Sequence, residues 1–388
     1  MNKYLAAFLL VFLSSLCLPA LAQSAAPTTQ LQERLQAHLD SLWQANGFPG
    51  ATFSVVLPDG RQLSLATGTA DSASRQPMRP DSRMFSGSNG KTLFVAAAMA
   101  LQAQGAFHLD DSIKTYIGQE QWFNRIPNAR AITMRMLLNH TSGIMEYYEL
   151  GDFMQQLKEN PARTWTPVEL LAYVFDREPL FAAGQGFSYA DTNFILFGYI
   201  LEKITGRNMY ELARQYVLSP YRLTATVPSV HRAYPLLAVG YARAGGPFPV
   251  EGAFVKDGRT VFSPQFEWTG GGFVSSVADL ASWAKTYYLL PGVPAEAREQ
   301  MRQGVPANTG KDHRYGLGMQ LRPGGTAGMG YGHSGWFPGY LTDAEYFPDL
   351  DLALAIQFNT DDFRLLKRTP HAYLLDMARI VTQTLSQP

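Results

Sequence analysis

Strand-like runs occur at the two ends of the chain and helical periodicity fills the middle, which limits the architectures open to it. Near the start, 51–57 and 61–67 are rich in β-branched and apolar residues and are joined by Pro58-Asp59-Gly60, a turn whose residues preset its backbone. Near the end, two similar runs, Tyr340–Phe347 and Leu352–Phe358, flank Pro348-Asp349. Ahead of the first run, Thr29-Gln30-Leu31-Gln32 reads as a capping box opening a helix. That helix carries Leu31, Leu35, Leu39, Leu42 and Trp43 on one face and stops at Asn46-Gly47. A helix over 371–385 closes the chain. Between lie helical stretches at 88–104, 133–138, 194–204 and 276–288, and a Pro-rich irregular stretch over 219–265. The simplest solution is an α/β (α+β) fold: one antiparallel sheet flanked by the N- and C-terminal helices, with a mainly helical insertion. The expected division is a discontinuous sheet domain of 30–86 and 265–388, and a helical domain of 87–264.

Apolar residues make up 46% of the 388 and charged residues only 16%, ample for a large core and too uncharged for a disordered chain. The 32 basic and 32 acidic residues balance with no basic block, which argues against nucleic acid as a partner. Residues 1–22 read as a signal peptide: Lys3, an apolar run over 5–16, then Ala20-Leu21-Ala22 as a cleavage site. That run is too short for a stable membrane span, so a periplasmic or secreted protein is expected. The single cysteine, Cys17, leaves with the signal, removing disulfides, thiolate ligands and a cysteine nucleophile. Seven scattered histidines form no H-E-x-x-H or similar cluster, so no metal site is expected.

Serine chemistry remains. The elbow G-x-S-x-G fails at both Ser88 and Ser334. At the mouth of a helix, however, stands Phe85-Ser86-Gly87-Ser88-Asn89-Gly90-Lys91. Residues three apart on a helix share a face, so the Lys91 amine reaches the Ser88 hydroxyl. The helix dipole there favours a developing oxyanion, and a lysine in apolar surroundings can lose its proton and act as a base. A second Ser-x-x-Lys, Ser282 to Lys285, lies inside a helix and reads as a surface pair. Two further segments each occur once: Tyr189-Ala190-Asp191 directly before a helix, and His333-Ser334-Gly335 just before the C-terminal strands.

The order Ser-x-x-Lys, Tyr-x-Asp, His-Ser-Gly resembles the serine β-lactamase and penicillin-binding-protein superfamily, in its branch of class C β-lactamases, D-alanyl-D-alanine carboxypeptidases and related esterases. Leu109-Asp110-Asp111, the run from Ile132 to Gly143 ending His140-Thr141-Ser142-Gly143, Thr192-Asn193-Phe194, Gly271-Gly272-Phe273 and Pro338-Gly339-Tyr340 extend the likeness over nearly all of the mature chain. The resemblance implies a β-lactamase/transpeptidase-like fold and an acyl-enzyme on amide or ester bonds. Ser88 is then the nucleophile, Lys91 the base and Tyr189 the proton relay. The backbone N–H groups of Ser88 and Trp336 form the oxyanion hole, His333 and Ser334 orient a substrate carboxylate or the Tyr189 hydroxyl, and Asp191, Ser334 and Gly335 bind substrate. No cofactor is implied, and the substrate is a small molecule or peptide, peptidoglycan stem peptides included. The leading reading is a carboxypeptidase-like or esterase-like hydrolase. A class C-like β-lactamase is the alternative, and a silent fold member binding peptidoglycan or protein is disfavoured because Ser88, Lys91 and Tyr189 are all present. Two departures stand out: His333 replaces the usual lysine of the third motif, which points away from efficient β-lactam hydrolysis, and Asp191 replaces the usual asparagine. His140 is expected to fix a turn rather than to catalyse.

Overall fold

The computed structural model describes residues 25–386. The expected signal peptide, with Cys17, lies outside the described residues. The first helix, α1 (Ala25–Asn46), begins upstream of the expected capping box. Leu31, Leu35 and Leu39 are completely buried. Gly47, in the left-handed region at φ 71°, turns the chain into β1 (Gly50–Val56) and β2 (Gln62–Asp71).

Four longer strands come from the C-terminal third: β3 (Gln320–Pro323), β4 (Met329–Phe337), β5 (Tyr340–Phe347) and β6 (Leu352–Phe358). Among the described residues they join β1, β2 and three two-residue strands in a nine-stranded sheet with central order β3-β4-β5-β6-β1-β2. Neighbouring strands run antiparallel, and β6 lies beside β1 with Ala51 opposite Phe358.

The alternation of β6 shows how the sequence builds two faces. Leu352, Leu354, Ile356 and Phe358 point to one side and pack with α1 and the closing helix (Pro370–Leu385). Ala353 and Ala355 point to the other, where small residues let a helix over Val277–Leu289 come close through Val277, Ala281 and Ala284. Both terminal helices thus share one face.

Between the two sets of strands lie α2 (Gly90–Ala103), buried along nearly its whole length, and α3 (Asp191–Thr205), which ends at Gly206 in the left-handed region. Residues 219–265 are less irregular than expected and hold short ladders, among them Tyr241–Ala242 with Gly252–Ala253. His333-Ser334-Gly335 precedes the expected strand pair, as read, but itself lies on a further strand, β4. Gly330, Gly332 and Gly335 had diluted the strand signal there. No helix among the described residues is long and apolar enough to cross a membrane.

Candidate active site

The chain leaves the short strand Arg83–Phe85, makes a tight turn over Gly87–Asn89 and enters α2, leaving Ser88 partly exposed at the helix mouth. The turn lies directly on β4. Gly87 has φ 51°, and a Cβ there would stand 2.6 Å from Trp336 N. A side chain on Gly335 would collide with Ser86 O. Ser334 N–H donates to Gln320 Oε1 at 2.9 Å, away from β5. N–H groups two residues apart on a strand point the same way, so that of Trp336 is directed to the edge where Ser88 lies.

Lys91 is completely buried. Its Nζ lies 2.9 Å from Ser88 Oγ, 2.5 Å from Asp191 Oδ1 and against Gly270 O, so three oxygens surround the one nitrogen. Asp191 opens α3, where a carboxylate suits the positive end of the helix, and its own N–H donates to Glu146 Oε2 at 2.5 Å. The Tyr189 hydroxyl lies beside Ser88, buried, without a well-formed hydrogen bond. Burial and the charge of Asp191 push it well above the usual tyrosine range, so it keeps its proton. His140, with φ 58°, supports it from behind: its ring centroid is 4.2 Å from that of Tyr189, and its Nδ1 accepts the Ala190 N–H at 3.2 Å.

His333 differs from expectation. It does not orient Tyr189; its Nε2 meets the Tyr315 hydroxyl at 2.8 Å. Burial, reinforced by Lys91, pushes its imidazole down to about 3, so it does not titrate near neutrality and no acid holds it protonated. Asp191 pairs with Lys91, and Ser334 and Gly335 line the cavity. The second Ser-x-x-Lys is a surface pair split between partners: Ser282 meets Gln62, and Lys285 meets Asp351 at 2.6 Å.

Sequence reading missed the carbonyl of Gly270, Tyr315 and two buried acids, Glu146 and Glu267. Burial and then the charge of Asp191 push both acids well above the carboxylate range. Neither sits in a motif, and only folding brings them to Lys91. A cavity of ≈ 690 Å³ opens on Ser88, walled by Tyr148, Phe248, Phe266 and Trp336 and reached by Asp191 and Glu267.

A serine bonded to a buried lysine at a helix mouth, with a protonated tyrosine beside it, defines a serine hydrolase of the active-site Ser-x-x-Lys class. The chain belongs to the Beta-lactamase family, whose model matches residues 35–376. It is 23% identical over 327 residues to penicillin-binding protein 4* of Bacillus subtilis (strain 168), covering 80% of this chain and 68% of that one. A D-stereospecific amidohydrolase from Streptomyces sp. superposes with a TM-score of 0.73 at 28% identity, covering 87% of this chain and 96% of the other. The D-amino acid amidase of Ochrobactrum anthropi SV3 shares the fold, with a TM-score of 0.78 at 22% identity over 92% and 100% of the two chains.

Proposed function

We propose that the protein is an exported amidohydrolase that forms an acyl-enzyme at Ser88 on small amides, esters or short peptides of D-amino acids. One observation carries this reading: Lys91, anchored by Asp191 and Gly270 O, holds Ser88 Oγ at 2.9 Å beside a tyrosine that retains its proton. With Lys91 as the neutral amine, Ser88 Oγ bonds the carbonyl carbon as its proton passes to Nζ, while the N–H groups of Ser88 and Trp336 receive the oxyanion. Tyr189 protonates the departing amine or alcohol and is reprotonated by Lys91. Water then releases the acid by the reverse path. The likeness to the D-stereospecific amidohydrolase supports D-amino acid derivatives as the substrate class.

Brief exposure to an activated phosphonate should add one adduct to the intact mass, and Ser88→Ala should abolish it. An adduct that persists in that variant, or that maps to Ser282, would overturn the assignment.

Cephalosporins should turn over more slowly than D-alanine amides or short-chain aryl esters. A neutral His333 offers their carboxylate no ammonium, and Arg322, also on the cavity wall, is occupied by Asp343 and Glu345. Losing a charge-assisted contact costs about 1.5–3 kcal/mol, or roughly ten- to a hundredfold. Parallel kcat/KM measurements decide it, and faster cephalosporin turnover contradicts it.

A further inference from the structure

Glu267 is a buried acid that the acyl-transfer steps do not use. It lies in the turn Pro264–Gly270, and its Oε2 is enclosed without a hydrogen-bond partner. The next residue, Trp268, holds φ 36° and ψ −119°, a strained conformation for a bulky side chain. An orphaned carboxyl and a strained backbone are both costly, and together they fix this group at the wall of the Ser88 cavity. Its distance from the nucleophile is short. A Cβ built on Gly271 would stand 2.6 Å from Glu267 Oε1 and would also collide with Gly87 O, in the turn that carries Ser88.

Among the described acids that line the cavity, Glu267 is left without an ion-pair partner, since Asp343 is held by Arg322. Asp191 is paired with Lys91, and Glu146 accepts the N–H groups of Tyr147 and Asp191. The basic groups on the cavity wall are engaged elsewhere: Arg322 by Asp343 and Glu345, His371 by Glu345, His333 by Tyr315 and His313 by Thr309. Around Glu267 the wall is aromatic, with Tyr148, Phe248, Phe266 and Trp336. Ring faces and a carboxylate are both attractive to a cation.

We propose that Glu267, with this aromatic wall, binds the free α-ammonium of the substrate's acyl part, so that the enzyme selects amino-acid amides and esters over their N-acylated counterparts. The proposal rests on the acyl-enzyme reading above. In an amino acid derivative the α-nitrogen is two bonds from the carbonyl carbon, so its binding group must stand close to the nucleophile turn, as Glu267 does. Burial, then the charge of Asp191, raises the affinity of this carboxyl for a proton, with Lys91 opposing. A substrate ammonium supplies the missing countercharge in the proton's place.

The test compares D-alanine p-nitroanilide with its N-acetyl form, on the wild-type protein and on Glu267→Gln. Wild type should prefer the free amine by about tenfold or more, and the variant should lower that ratio by about tenfold or more, chiefly through KM. A smaller change overturns the proposal, as does a wild-type preference for the N-acetyl substrate, which requires no variant to fold. Phosphonate labelling of Ser88 needs no ammonium and is run alongside. Labelled wild-type protein with an unchanged ratio rejects the ammonium site alone, whereas unlabelled wild-type protein rejects the acyl-enzyme reading beneath it.

Discussion

Replacing Lys91 by methionine should slow acylation of Ser88 by about 10²- to 10⁴-fold, the range that a positioned acid–base group supplies. The lysine is the group bonded to Ser88 Oγ, at 2.9 Å, and Tyr189 beside it keeps its own proton. Methionine fills much of the same buried space, and the Asp191 side chain, 15% exposed, can take water in place of the lost cation. The fold should therefore survive, which thermal unfolding can verify. Lys91→Arg separates two roles. A guanidinium keeps the charge but does not accept a proton, so an obligatory base predicts that arginine is as slow as methionine. Single-turnover phosphonate labelling and aryl-ester kcat/KM supply the rates. If arginine retained more than about a tenth of wild-type activity, the lysine would be acting through its charge, and the role of base would have to move.

Removing Arg322 should be the most destabilising single change outside the apolar core. Its guanidinium spans two buried carboxylates, Asp343, with bonds of 2.9 and 2.5 Å, and Glu345. Glu345 also accepts His371 Nδ1 at 2.8 Å. Burial pulls that imidazole down, but the Glu345 bond and charge outweigh it and raise the histidine above its ordinary value. In Arg322→Met two carboxylates remain buried with only His371 to balance them, and breaking a buried pair in this way costs about 3–5 kcal/mol. Chemical denaturation at neutral pH measures the loss. The sign of its pH dependence follows from linkage. Without the arginine both acids bind protons more tightly folded than unfolded, so the deficit should shrink as pH falls toward their folded-state values. Adding Asp343→Asn to the variant should likewise recover part of the loss. A cost below about 1 kcal/mol would show that water reaches the cluster.

Local chemistry made much of the scaffold legible. The hairpin followed from Pro58-Asp59-Gly60 between two β-rich runs, and the bounds of β5 and β6 matched their apolar runs. The face of α1 followed from leucines four residues apart. The meeting of Ser88 with Lys91 was legible for the same reason, since both lie on one helical turn. Strand β4 was hidden because three glycines replace the side chains that mark a strand. Two of those glycines have physical reasons visible only in three dimensions: a Cβ on Gly332 would collide with Ala344 O, and one on Gly335 with Ser86 O.

What the sequence by itself determined, then, is which residue types are present and which neighbours along the chain share a face. Those short-range rules were enough to place the sheet at the two ends of the chain and to pair a serine with a lysine. Tertiary structure alone decided the electrical state of the site. It brought Asp191 and Gly270 O to Lys91, enclosed His333 until its imidazole stays neutral, and left Glu267 buried without a counterion. The affinity of a side chain for a proton depends on its loss of water and on charges a few ångströms away. In this protein those charges come from segments far apart in the chain, and only the packed fold sets the distances between them.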